Sequence, residues 1–207
     1  MKRLYLLRHG QTEFNVKKLV QGRCDSPLTD LGRKQAGMAA AWLKGHDVVP
    51  DKVVSSPLGR AMDTAQFVAT ELLGPNAAVE PCEGIIERCY GTFEEGPHDA
   101  LPTDVWDPGE DLVPFGGEGS RALQERMVGT LTNLMSAKGT KTLLAVSHGA
   151  SRQFIKAAAP EGFELPTKLP NCAIMIFDFE EEKSGEEGDA PQSKFILQQI
   201  IDPQQSN

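Results

Sequence analysis

The sequence lacks any long apolar run and any cluster of basic residues. A membrane-spanning helix needs about 20 consecutive apolar residues, and no stretch of these 207 residues approaches that length. Nucleic-acid-binding proteins carry basic patches, whereas this chain has a formal net charge of −8. We therefore expect neither a membrane nor a nucleic acid as a partner.

Cysteine is scarce, and its spacing excludes the common metal sites. Cys24, Cys82, Cys89 and Cys172 show neither a CxxC pair nor a Cys/His cluster with zinc spacing. Cys82 and Cys89 are seven residues apart, so a disulfide between them is conceivable. The N-terminal residues 1–10 contain only a short apolar stretch and no small-residue cleavage site, which does not fit a secretory signal. Free thiols in a reducing cytoplasm are therefore the favoured interpretation.

Short apolar strands alternate with amphipathic helices along the chain. The predicted strands lie within residues 3–10, 51–57, 77–85, 141–150, 171–180 and 194–201. The predicted helices lie within residues 26–46, 58–74, 120–139 and 151–159. Thr29 is the expected N-cap of the first helix, and Leu31 is expected on its apolar face. The alternation predicts a single α/β domain over residues 1–207, a three-layer α/β/α sandwich with a mostly parallel central sheet.

Two segments stand out against this pattern of strands and helices. Residues 92–119 are rich in Gly, Pro and Asp and predict a long loop or small lid, since loops of this length are usually functional or disordered. The polar residues 181–192 predict a mobile turn between the last two strands. The apolar stretch 173–177 could lie at a sheet edge and pair with a second copy of the chain, so a homodimer is possible.

Basic side chains follow three of the predicted strands. Arg8 and His9 end the first strand, Arg60 follows the second, and His148 ends the strand of residues 141–150. Because ligands bind beyond the carboxyl ends of the strands in such sheets, we expect these four side chains to converge. Arginine presents a planar fork of donors that fits phosphate. The sequence therefore predicts a site for a phosphorylated ligand.

Four segments in this order resemble the histidine phosphatase superfamily, in its phosphoglycerate-mutase-like branch. They are LLRHGQTEFN, QGRCDSPLTDLGRKQA, VVSSPLGRAMDTA and AVSHGA, and the resemblance runs from residue 4 to about residue 155. It implies that His9 is the nucleophile and that Arg8, Arg60 and His148 surround the phosphate. The stretch IIERCYG implies Glu87 as the general acid, with Glu83, Glu94 and Glu95 as nearby competitors.

The same resemblance assigns further residues around the phosphate. Asn15, Gln21, Gly22 and Gly149 are implied to bind phosphate or substrate. In the later block FGGEGSRALQERM, Glu118 and Arg126 fit the family's pattern, although Gly119 replaces its usual serine.

The chemistry expected of this residue set needs neither a metal nor a cofactor. A neutral imidazole is a competent nucleophile near pH 7, provided that a hydrogen bond to its other nitrogen aims the ring. Gly10 or a nearby backbone carbonyl could supply that acceptor. Arginines and a second histidine can stabilise the phosphoryl group in transfer. Glu87 must start protonated to act as an acid, which requires a raised pKa.

Hydrolysis of a small phosphorylated metabolite is favoured over mutase chemistry. The predicted lid contains no Lys or Arg, and its acids would repel a second charged group on the substrate. These acids are Glu94, Glu95, Asp99, Asp104, Asp107, Glu110, Asp111 and Glu118. An alternative is that they form only a solvated loop face. The lid aromatics Phe93, Trp106 and Phe115 either form a wall over the leaving group or pack onto the body of the domain.

Three other functions stay open at this point. They are a phosphoglycerate mutase-type transfer, a non-catalytic protein that binds phosphorylated ligands, and a metal-dependent hydrolase. The complete set of Arg8, His9, Arg60, Glu87 and His148 argues against a non-catalytic protein, because binding alone needs no acid. No HExxH spacing is present to support the metal-dependent alternative.

Overall fold

A six-stranded sheet forms the centre of the molecule in the computed structural model, which describes residues 1–158, 163–181 and 193–205. The strands are β1 (Lys2–Arg8), β2 (Lys52–Ser55), β3 (Glu80–Pro81), β4 (Thr142–Ser147), β5 (Ile174–Glu181) and β6 (Ser193–Ile201). Their order across the sheet is β3-β2-β4-β1-β5-β6. The pairings among β1, β2, β3 and β4 are parallel, and β5 runs antiparallel to both β1 and β6. The predicted mostly parallel α/β sheet is confirmed.

Five α-helices accompany the sheet within the described residues. They are α1 (Glu13–Lys17), α2 (Asp30–Gly45), α3 (Gly59–Leu73), α4 (Ser120–Ser136) and α5 (Ser151–Ala158). Thr29 caps α2 as predicted, since its side chain accepts a hydrogen bond from the Gly32 N–H. Leu31 is 45% exposed, so its predicted place on the buried face is wrong. None of the helices in the described part of the chain is long and apolar enough to cross a membrane.

Apolar side chains alternate between the two faces of β1. Leu4 and Leu6 belong to one core cluster, together with residues of α4 and α5. Tyr5 and Leu7 belong to a second cluster, together with residues of α2 and α3. The alternation follows from the two-residue period of a strand. It gives helices on both faces of the sheet, which is the predicted three-layer arrangement.

The chain departs from the sequence-based expectations at three places. The apolar stretch 173–177 is not at an edge, because β5 pairs with β1 on one side and with β6 on the other. The predicted pairing of that stretch with a second copy is therefore wrong. The third strand is only two residues long, and the short helix α1 was not predicted. Residues 182–192 of the predicted turn 181–192, and the last residue of the predicted helix 151–159, lie outside the described residues.

Residues 92–119, the predicted loop or lid, form short 3-10 turns rather than regular helices, and we call this segment the lid. Leu101 and Leu112 of this lid pack with Val20 in a small apolar cluster. Arg88 ties the lid to the domain by donating hydrogen bonds to the Glu118 carbonyl (2.7 Å) and the Ser120 hydroxyl (3.0 Å). Side-chain packing and a buried guanidinium thus hold a segment that has little regular structure.

Candidate active site

His9 lies at the first position after β1, where the strand leaves the sheet. It is 1% exposed, and its Nδ1–H donates to the Gly10 carbonyl at 2.7 Å. Since a carbonyl oxygen can only accept, this bond places the ring proton on Nδ1 and leaves a lone pair on Nε2. Burial, with added repulsion from Arg60 and Arg8, lowers the pKa of His9 well below its ordinary value. His9 is therefore a neutral, oriented imidazole at pH 7.

The turn after His9 requires glycine at position 10. A Cβ atom at Gly10 would lie 2.4 Å from the Gly32 carbonyl oxygen in the first turn of α2. Backbone atoms cannot yield to such a contact, so any larger residue would push α2 away from the end of β1. This close packing fixes the carbonyl that orients His9.

His148 lies beside His9 because of the strand register. Arg8 is the register partner of Ser147 in the parallel β1–β4 pair, so the residues that follow them leave the sheet side by side. The centroids of the two imidazole rings are 5.1 Å apart. Nε2 of His148 hydrogen-bonds with the Ser56 hydroxyl at 2.7 Å, and its buried Nδ1 has no hydrogen-bond partner among the described residues. Burial, followed by repulsion from Arg60, lowers the pKa of His148 well below its ordinary value.

Arg8 is a buried cation in the wall of the cleft. One of its guanidinium nitrogens donates to the Leu169 carbonyl, and its buried Nε has no partner within the described part of the chain. Burial lowers the pKa of Arg8 to about 10, partly offset by attraction to Glu87. The guanidinium therefore stays charged at neutral pH and favours an anion nearby.

Arg60, in the first turn of α3, is fully buried and holds the loop that follows Gln21. Its guanidinium donates to the carbonyls of Gly22 and Cys24, both at 2.8 Å, and to the Asp25 carboxylate at 3.0 Å. Its buried Nε lacks a partner among the residues described. Arg60 therefore supplies positive charge beside both imidazoles and also positions the backbone of the loop.

Glu87 also lines the cleft, and its carboxylate lies at the N-terminus of α5. Its Oε1 accepts hydrogen bonds from the N–H groups of Arg88 and Ala150, both at 2.9 Å. Its Oε2 accepts one from the Gly149 N–H at 3.0 Å, which leaves a lone pair on Oε2. The carboxylate is thus fixed by three backbone donors.

The competing carboxylates lie elsewhere. Glu94 accepts hydrogen bonds from the N–H groups of Tyr90 (2.9 Å) and Arg23 (3.1 Å), outside the cleft. Glu83 is exposed and Glu95 does not line the cleft. Glu87 is the one acid among the four that faces the cleft.

Arg126 and Glu118 form a brace behind Glu87. The Arg126 guanidinium makes a two-pronged contact with the Glu118 carboxylate at 2.9 and 2.7 Å. It also donates to the carbonyls of Gly84 and Ile86, both at 3.0 Å. Arg126 therefore fixes the backbone that leads into Glu87 and does not itself line the cleft.

The cleft brings together most of the predicted site residues. Those that line it are Arg8, His9, Asn15, Gln21, Gly22, Glu87 and Gly149. Arg60 and His148 lie behind this surface, buried against His9. The Asn15 side chain accepts hydrogen bonds from the Thr12 N–H (3.1 Å) and the Asn171 amide (3.2 Å). Gln21 accepts one from the Thr12 hydroxyl at 3.0 Å, so Thr12 contacts both amides and Asn171 adds a second contact to that of Asn15.

Several lining residues carried no clear signal in the sequence. They are Leu19, Val20, Arg88, Tyr90, His98, Val105, Ala150 and Gln153. Of the three lid aromatics, Trp106 lines the cleft, whereas Phe93 packs edge-on against Phe115 with centroids 4.9 Å apart. The described residues contain no group of three or more His, Cys, Asp or Glu side chains that could hold a metal ion. All four cysteines are free thiols, so Cys82 and Cys89 form no disulfide.

Comparison with known proteins relates most of the chain to one family. The family model "Histidine phosphatase superfamily (branch 1)" matches residues 4–187. A relative from Yersinia pestis, named "Probable phosphoglycerate mutase GpmB", is 29% identical over 192 residues, which cover 87% of this chain and 86% of the relative.

Two solved structures of a phosphoserine phosphatase from Entamoeba histolytica are similar in sequence as well as in fold. A mutant in complex with phosphoserine is 29% identical, with a TM-score of 0.74 and coverage of 99% of this chain and 98% of that one. The complex with 3-phosphoglyceric acid is 31% identical, with a TM-score of 0.69 and coverage of 94% and 96%.

Proposed function

Because the chain belongs to the histidine phosphatase superfamily, we propose that it is a metal-independent phosphomonoesterase that works through a phosphohistidine on His9. The observation that carries the proposal is the state of His9. It is a neutral ring whose Nδ1–H is bound to a carbonyl and whose Nε2 is free, beside the buried guanidinium groups of Arg8 and Arg60. These charges attract a phosphate group, and the free lone pair can attack its phosphorus atom.

The proposed reaction has two steps that balance in atoms and protons. In the first, Nε2 of His9 forms a bond to phosphorus, the bond from phosphorus to the ester oxygen breaks, and protonated Glu87 gives its proton to that oxygen. In the second, Glu87 takes a proton from water, the water oxygen bonds to phosphorus, and the phosphorus–nitrogen bond breaks. Arg8 lines the cleft and stabilises the charge on the non-bridging oxygens in both steps, and the charge of Arg60, buried behind His9 together with His148, adds to this stabilisation at longer range.

The proposed substrate is a small phosphorylated metabolite whose alcohol part carries modest charge. Beyond Arg8 and His9, the walls of the cleft include Leu19, Val20, Tyr90, Val105 and Trp106, and no lysine lines the described part. The guanidinium of Arg88 is already bound to the Glu118 carbonyl and the Ser120 hydroxyl. A leaving group with a second strong charge finds no free cation there.

The expected repulsion by the lid acids is not the basis of this selectivity. None of the eight lid acids lines the cleft. Several of them have partners, since Asp107 pairs with Lys156, Glu118 pairs with Arg126, and Glu94 accepts backbone hydrogen bonds. Selectivity is therefore proposed to come from the apolar wall.

A mutase is the alternative, and two observations favour it. One relative is named a probable phosphoglycerate mutase, and one similar structure holds 3-phosphoglyceric acid. Both activities share the phosphohistidine and differ in whether water or a second hydroxyl receives the phosphoryl group.

The free cysteines support the cytoplasmic location predicted from the sequence, where small phosphorylated metabolites are plentiful.

One assay separates these possibilities. Purified protein is incubated with a panel of sugar phosphates, phosphoglycerates, phosphoamino acids and nucleotides, with and without EDTA, and both released phosphate and isomerised phosphoglycerate are measured. We expect phosphate release that EDTA does not reduce and that His9→Ala abolishes, whereas His46→Ala, at an exposed histidine outside the site, is fully active. Isomerisation without net phosphate release would establish the mutase, and turnover in His9→Ala would refute the nucleophile.

A further inference from the structure

The tip of the lid is attached to helix α5 by one carboxylate. Asp107 accepts a hydrogen bond through Oδ1 from the Gln153 side-chain amide at 2.9 Å, and its Oδ2 pairs with the Lys156 ammonium group. Gln153 is 2% exposed and in turn accepts a hydrogen bond from Gln124 on α4 at 3.2 Å. We call the group Asp107, Gln153 and Lys156 the lid latch. It joins a segment without regular structure to two helices of the domain.

The latch holds the residue next to it against the cleft. The Trp106 ring makes a cation–π contact with Arg8, whose guanidinium carbon Cζ lies 5.1 Å from the ring centroid. The far edge of the same ring approaches Gly149, at 3.7 Å from the position that a Cβ atom would occupy there. Trp106 therefore bridges the phosphate end of the cleft and the start of α5. Its backbone N–H is held by the Asp104 carboxylate at 3.0 Å, within the lid itself.

The latch affects the closed population of the lid more than the folding free energy of the whole domain. The side chains of Lys156 and Asp107 are 35% and 32% exposed, and ion pairs this open to water contribute little to the folding free energy. Lids, however, open at low free-energy cost, so a small contribution changes the closed population substantially. Although burial opposes it, hydrogen bonds from Lys156 and Gln153 hold the pKa of Asp107 below its ordinary value. The carboxylate is therefore charged at neutral pH.

We propose that Asp107 is a positioning residue that, through Gln153 and Lys156, keeps Trp106 closed over Arg8 and thereby sets the selectivity for the leaving group. The kinetic part rests on the proposed phosphatase function, whereas the structural part does not. A closed Trp106 supplies the apolar wall that a carbon-rich leaving group contacts.

The structural part is tested by fluorescence. The chain has two tryptophans, so Trp42→Phe leaves Trp106 as the single reporter. We expect that adding Asp107→Ala at least doubles the acrylamide quenching constant of Trp106, and that Lys156→Met does the same. Asp111→Ala removes an equal charge from an exposed lid position and serves as the matched control. Equal quenching in the Asp107→Ala and Asp111→Ala proteins would overturn the proposal.

The kinetic part is tested with two phosphomonoesters, one with an apolar leaving group and one with a small polar leaving group. We expect Asp107→Ala to raise KM several-fold for the apolar ester, to change kcat less than twofold, and to leave the small polar ester and the melting temperature nearly unchanged. The double variant Asp107→Ala/Lys156→Met should behave like Asp107→Ala, because the two residues act through one contact. A uniform loss of kcat on both esters would refute a positioning role. If no phosphomonoester is turned over, the proposed function fails, while the quenching experiment still decides the latch.

Discussion

Replacing Glu87 by glutamine tests the proposed general acid directly, because the substitution keeps the size of the side chain and removes its ability to donate a proton. The carboxylate accepts three backbone N–H groups, from Arg88, Gly149 and Ala150. A glutamine can place its carbonyl oxygen where Oε1 lies and keep two of these bonds. Its NH₂ group then faces the Gly149 N–H, and two donors meet.

The expected losses of stability and of activity in Glu87→Gln both follow from this geometry. An unsatisfied buried donor costs about 1–3 kcal/mol, and the two bonds that remain lose the assistance of a negative charge. We expect the free energy of unfolding to fall by roughly 2–3 kcal/mol, which for a chain of this length lowers Tm by about 4–12 °C. The loss of a general acid reduces kcat/KM by roughly 10² to 10⁴ on alkyl phosphates.

The assay compares leaving groups that differ in their need for a proton. An alkoxide must be protonated as it leaves, whereas p-nitrophenolate leaves readily without a proton. Glu87→Gln should therefore lose at most about tenfold on p-nitrophenyl phosphate while losing the full factor on an alkyl phosphate. Glu94→Gln is the matched control, because Glu94 also accepts two backbone N–H groups but lies outside the cleft. Equal losses on both substrates would refute the role of Glu87 as the acid.

The remaining predictions concern the stability of the fold and of the candidate site. Burial lowers the pKa of His9 and His148 in the folded state, so the unfolded chain takes up protons first as the pH falls below about 6.5. Below that pH, the free energy of unfolding should therefore fall by up to about 1.4 kcal/mol per pH unit for each histidine, and above it the contribution of these histidines should be constant. Urea unfolding at several pH values measures this slope, which should shrink in His9→Ala; an unchanged slope would contradict it. Arg126→Met leaves the Glu118 carboxylate without its main partner and should lower the free energy of unfolding in urea by roughly 3–5 kcal/mol. It should also reduce turnover, because Arg126 no longer fixes the backbone that precedes Glu87. Full activity would exclude the brace. Phe154→Ala, in the core between α5 and the sheet, should cost about 3–5 kcal/mol in the same experiment without changing KM in the protein that remains folded, and a shifted KM would show that the core reaches the cleft.

Local sequence determined the end of the sheet at which the candidate site lies. Arg8, His9 and His148 directly follow strands, so their place needs only the strand pattern and the parallel pairing that the alternation of strands and helices implies. The acceptor for the His9 ring is likewise the next residue along the chain, Gly10. The periodicity of apolar residues also predicted helices on both faces of the sheet, since the buried face of a helix or strand is evident from the spacing of apolar residues over a few positions.

Tertiary structure alone decided which groups meet across long stretches of chain. Glu87 is distinguished from Glu94 by backbone donors that lie 62 residues further along the sequence. Arg60 was expected at the phosphate, yet its guanidinium donates mainly to the backbone of residues 22–24. The acidic residues of the lid have partners of their own, and the stretch 173–177 is an inner strand. In each case the partner comes from a distant segment whose position depends on the packing of the whole domain, and no local pattern of residues encodes that.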